Sequence, residues 1–141
     1  MVEFALVLPL LLLLVLAMAD FGKAFNYWID ETHLANEGAR LAVVNGSPGT
    51  CPDGTTPATL QAYIKCQGTT SELRSIAQVS ICLPNGTAAV GDPVRVKVQA
   101  TYNWLAFVAP HMPFAQATIT GTSTMRLEAP PPHPYTTVAC T

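Results

Sequence analysis

The 141-residue chain predicts an α+β fold, in which one long N-terminal helix carries a small antiparallel sheet of three or four strands. Three observations predict it. Phe4 to Ala19 is a run of sixteen uncharged, largely apolar residues, and a three- and four-residue apolar period continues beyond it to Ala42. Two later segments, Pro93 to Trp104 and Ala115 to Leu127, alternate apolar and polar residues as half-buried strands do. All four cysteines lie after the apolar run, in the portion that would sit outside the cytoplasm. The organisation expected is a helix over 1–45, an extracytoplasmic head over 46–128 and a proline-rich extended tail over 129–141.

Sixteen residues at about 1.5 Å of rise cover roughly 24 Å, slightly less than the roughly 30 Å hydrocarbon core of a bilayer. Met1 and Val2 before the run and Phe21 to Trp28 after it supply the missing length, with aromatic residues where an interfacial belt belongs. Ala17-Met18-Ala19 resembles a signal-peptide cleavage site, but Glu3 stands where a cationic leader is expected. A carboxylate at the lip of an apolar run is costly unless solvated or paired, which makes Glu3 a candidate functional residue. Pro9 removes one helical hydrogen bond and predicts a kink or loosened turn at Ala5.

Beyond Asp20, the positions Phe21, Phe25, Trp28, Thr32, Ala35, Ala39 and Ala42 share one helical face. Bulky residues come first and small ones last, grading from a packing surface near the membrane to a close-approach surface against the head. Gly38 fits such an approach, since it costs about 1 kcal/mol of helix propensity relative to Ala. The sequence Asn45-Gly46-Ser47-Pro48-Gly49 ends the helix at Val44.

Two short helices, each opening on a hydroxyl cap, are predicted over Thr56–Cys66 and Thr70–Ala77. Val79 to Leu83 reads as a strand, followed by a turn at Asn85-Gly86. Pro93 to Trp104 is the clearest strand, with Val94, Val96 and Val98 directed to a core and Arg95 and Lys97 to water. Leu105 to Phe114 reads as a proline-broken crossover, and the last strand alternates through Ala117, Ile119, Gly121, Ser123 and Met125. Cys51, Cys66, Cys82 and Cys140 suggest two disulfides, of which three pairings are open. The pairing preferred here joins Cys51 to Cys66 around a local loop and Cys82 to Cys140 at the tail.

Chemistry-bearing patterns are sparse. His33, His111 and His133 have no metal-ligand spacing, the cysteines contain no C-x-x-C pair, and no glycine-rich phosphate loop occurs. Asp30 and Glu31 are adjacent and point different ways on a helix, so they form no carboxylate pair. Neither catalysis nor a cofactor or metal is expected. A net charge of -2 without a basic cluster in the sequence argues against nucleic acid as a partner.

Several of these segments together resemble a known family. Val2-Glu3-Phe4-Ala5-Leu6-Val7-Leu8-Pro9 with its leucine run, Asp20-Phe21-Gly22-Lys23-Ala24-Phe25, Asn36-Glu37-Gly38-Ala39-Arg40 and the strand from Ile119 to Glu128 look like the TadE-like family. These are pilin-like or pseudopilin proteins of tight-adherence type IV pilus systems. The resemblance spans about Val2 to Val44 and Val94 to Glu128. It implies a type IV pilin-like fold and processing after a glycine, with glutamate at the fifth mature position. Here the glutamate is third and no glycine precedes it.

What the resemblance implies is assembly. Glu3, Phe4, Pro9, Phe21, Phe25 and Trp28 are the expected assembly residues, with the Glu3 carboxylate meeting an N-terminal amine inside a filament. Glu37, Gly38, Arg40 and Arg126 are expected to seat the helix on the head, with Glu37 paired to Arg40 or Arg126. The partners implied are copies of the chain or other pilins, the inner membrane before assembly and the pilus assembly machinery. The final location is an extracellular pilus. A single-span membrane protein whose head binds a ligand or cell-wall polymer is the alternative.

Overall fold

The computed structural model describes residues 2–44, 46, 48–104, 116–129 and 140, and the side chains of Val2 and Glu3 fall outside that description. Helix α1 spans Val2–Val43, α2 Leu60–Cys66 and α3 Ser71–Ile76. Strands β1 (Gln78–Cys82), β2 (Pro93–Asn103) and β3 (Gln116–Arg126) form one antiparallel sheet in the order β1-β2-β3.

The 42-residue α1 continues through Pro9 without a break in helical assignment. Its first half is bare. Leucines 10 to 14 are all exposed, and no residue between Phe4 and Phe21 is buried. The second half lies under the sheet, where Ala24, Tyr27, Glu31, Leu34, Ala35, Ala39, Ala42 and Val43 are buried. This stripe is rotated from the one expected. Phe25 and Trp28 stay about half exposed and Phe21 meets the head at Trp104, while Ala24 and Tyr27 are the buried positions at their level.

The two short helices stop where expected, but α2 begins later than the sequence suggests. Its cap is Thr59, whose hydroxyl accepts from the Ala62 amide, and Thr56 stays in the preceding loop. Thr70 caps α3 by accepting from the Leu73 amide, as its hydroxyl predicts.

Alternation along β2 is strict, with Val94, Val96, Val98, Ala100 and Tyr102 buried between half-exposed or exposed neighbours. Eleven consecutive residue pairs join β2 to β3 without a bulge, from Pro93↔Arg126 to Asn103↔Gln116. Beyond β3 the chain turns onto the top of α1, where the amides of Glu128 and Ala129 donate to the Val43 carbonyl. At the other end of the sheet, the Tyr102 hydroxyl donates to Asp20. Between these ties, 23 residues of α1 rise about 34 Å, and a strand of eleven residues reaches about the same length. Helix and sheet therefore match end to end.

Disulfides join Cys51 to Cys66 and Cys82 to Cys140, with Cα separations of 5.7 Å and 5.4 Å. The first ties the loop after α1 to the end of α2, and the second brings Cys140 to β1. The crossover over 105–115 and the tail over 130–139 lie outside the described residues.

Candidate functional site

Two surfaces of α1 are set by its sequence, an apolar one free of the head and a small-residue one under it. The free surface begins with Phe4, 71% exposed, and continues along the leucine run. It does not end at Ala19. Phe21, Phe25, Trp28 and Ile29 remain about half exposed or more, and the Phe25 and Trp28 rings lie 5.6 Å apart.

A polar and aromatic collar fixes where the head starts. The Phe21 ring stacks on Trp104 at 6.4 Å, and Tyr102 packs edge-on against both Tyr27 and Trp104. Lys23 forms an ion pair of 2.9 Å with Glu72 on α3, both side chains being about half exposed. The pair holds the Lys23 ammonium above its ordinary pKa and the Glu72 carboxyl below, through their mutual hydrogen bond. Burial, aided by the Asp20 carboxylate, raises the Tyr102 hydroxyl. About two turns above Lys23, Asp30 accepts from the Thr69 amide at 2.9 Å and its hydroxyl at 2.7 Å. Such charged contacts require water or headgroups, which sets Ala19 as the upper limit for any membrane-crossing portion of α1.

Above the collar, the helix approaches the sheet at glycine. A Cβ at Gly121 would lie 2.4 Å from the carbonyl carbon and oxygen of Glu31, so β3 touches the helix backbone there. Glu31 itself is fully buried, and neither carboxylate oxygen has a hydrogen-bond partner among the described residues. Burial pushes its carboxyl up to about 8, with the nearby Asp30 charge acting in the same sense. The backbone at Ala100 opposes this shift but stands outside good hydrogen-bonding geometry. Sequence reasoning treated Glu31 only as one of two diverging acids. Its position four residues after Tyr27 and four before Ala35 was the signal that it faces inward.

The residues expected to seat the helix separate into one that does and three that do not. Gly38 does, since a Cβ there would meet Ile64 of α2 at 2.4 Å and Val96 of β2 at 3.3 Å. Glu37 and Arg40 are exposed, and no ion pair joins Glu37 to Arg40 or Arg126 among the described residues. Strand parity is the reason for Arg126. It lies on the sheet face opposite α1 and donates to the Gly91 carbonyl at 3.2 Å. Glu37 is about a third of a turn from the buried stripe. Glu3 lies in the first turn of α1, its side chain outside the described residues, and Pro9 lies within the bare half. His33 is exposed, whereas His111 and His133 are outside the described residues.

Residues 1–40 match the model of a family described as TadE-like protein. The match covers α1 almost to its end and stops before the head, so the likeness noted over Val94 to Glu128 has no counterpart in it. No curated protein and no solved structure matches the chain. The opening helix thus resembles that of TadE-like proteins, and its length and composition suit a membrane span.

Proposed function

We propose that this protein is a structural subunit of a Tad-like type IV pilus. It is held in the membrane by the first half of α1 before assembly and afterwards packed through the same helix against other subunits. One observation carries the reading. The exposed apolar surface runs from Phe4 to Ile29, about 39 Å of helix, whereas a bilayer core spans roughly 30 Å. Its upper part stands level with the charged collar of Lys23 and Glu72, where hydrocarbon does not reach. An apolar stripe at that height is best covered by protein, and equivalent helices of neighbouring subunits present the matching surface.

Exchanging lipid for neighbouring leucines is nearly neutral in hydrophobic energy, so assembly needs a polar bias. Glu3 supplies it in this reading, as the only ionisable side chain before Asp20. Its carboxylate pairs with an N-terminal amine in the low-dielectric centre of the filament, where separating the charges is costly. The prediction is that Glu3→Ala inserts into the membrane at the normal level but yields no filaments in the fraction released by shear. Electron microscopy and immunoblotting of that fraction check it. Normal filaments from the variant would remove Glu3 from assembly. Recovery of the wild type only as a detergent-dependent monomer would favour the anchored binding protein.

A further inference from the structure

The sheet face turned away from α1 has a composition unlike the rest of the molecule. Its strands bring together Arg95 and Lys97 from β2 and Arg126 from β3, three of the seven basic residues in the chain and none of its nine acids. Threonines fill the alternate positions of β3, with Thr118, Thr122 and Thr124 exposed. Thr122 stands opposite Lys97 and Thr124 opposite Arg95, with the Arg95 Nε donating to the Thr124 hydroxyl at 3.4 Å. The unbroken pairing of β2 with β3 keeps this surface regular along its length.

The nearest acids in sequence, Asp92 and Glu128, lie just beyond the strand ends. Asp92 is engaged by the Thr87 hydroxyl and the Ala89 amide. The cations occupy the end of the sheet remote from the membrane. Arg95 is eight residues along β2 from Asn103, which neighbours the collar, and is therefore roughly 25 Å above it. A chain of net charge -2 thus presents a locally positive, hydroxyl-lined surface to the exterior.

We propose that this outer sheet face, through Arg95, Lys97 and Arg126 set among threonine hydroxyls, binds an acidic polysaccharide. Carboxylate or sulfate groups pair with the three cations, while the threonine side chains exchange hydrogen bonds with sugar hydroxyls along the polymer. Nucleic acid fits less well. Among the described residues the face has no aromatic side chain on which bases could stack, and three cations neutralise little of a duplex carrying one charge per roughly 1.7 Å. The inference does not require polymerisation, although repetition of the face along a filament would strengthen binding by multivalency.

The test uses the full chain in uncharged detergent, applied to immobilised polygalacturonate, neutral dextran and duplex DNA. Expected is retention on polygalacturonate, weakened on the order of tenfold between 50 and 200 mM salt, with no retention on dextran. The combined variant R95Q/K97Q/R126Q should lose most of that binding, whereas Lys65→Gln should retain it. Should the triple variant fold poorly, K97Q alone must still show a measurable loss at an unchanged melting temperature. Undiminished binding by these variants, equal retention on dextran, or DNA bound as tightly as polygalacturonate would overturn the assignment.

Discussion

Glu31 is a carboxylic acid buried without a hydrogen-bond partner among the described residues, at the point where helix and sheet come closest. The folded chain keeps its proton up to about pH 8, while the unfolded chain releases it above about 4.5. Between those values the unfolded state binds fewer protons, so stability declines as pH rises, by up to about 1.4 kcal/mol per pH unit. Glu31→Gln removes the titration. The expected outcome is a wild type that loses stability from pH 5 to pH 8 and a variant that does not, with the variant more stable at pH 7. Denaturant unfolding in detergent across that range checks this, and parallel profiles for the two proteins would contradict it. At this scale the sequence was informative where chemistry is local: Thr70 as a cap, the valines of β2 as core, and Gly38 as a contact. It was least informative where a role depends on a distant partner. Glu37 and Arg126 are of opposite charge, but β3 parity directs Arg126 away from the helix.

The second half of α1 and the strands over it form one unit, closed at the bottom by Tyr102 on Asp20 and at the top by the Val43 carbonyl. Its tightest point is Gly121, where an added methyl would strike the helix backbone and could not be relieved by turning a side chain. Gly121→Ala should therefore destabilise the head by about 3 kcal/mol, the upper part of the usual cost of overpacking. Gly22→Ala serves as its control. No atom lies within 4 Å of a Cβ there, and the change should stabilise the helix slightly through propensity. Thermal unfolding of both variants measures the difference, and equal effects would show that the close approach is not limiting. Periodicity alone revealed α1, β2 and β3 to within about two residues at each end. It did not by itself separate the covered from the uncovered part of α1, because Phe21, Phe25 and Trp28 follow the same spacing as the core positions Ala35, Ala39 and Ala42. A period identifies a face but not what covers it.

Over the whole molecule, the head accounts for the upper helix on one side only. Its polar collar stops at Asp20, its sheet seals Ala24 to Val43, and its outer face is polar and locally cationic. Among the described residues, what remains uncovered is the apolar stripe from Phe4 to Ile29, whose lower half suits lipid and whose upper half rises beside the collar. In the proposed filament the partner surface belongs to another chain, so a single sequence contains only half of the contact; the leucine run and its aromatic extension were legible, while the covering was not. The most direct measurement places a photo-crosslinking side chain at Phe25 and analyses the adducts formed in living cells. Adducts between α1 helices of pilus subunits, enriched in the fraction released by shear, are predicted. Adducts to lipid alone, with no subunit joined to another in any fraction, would contradict assembly through this helix.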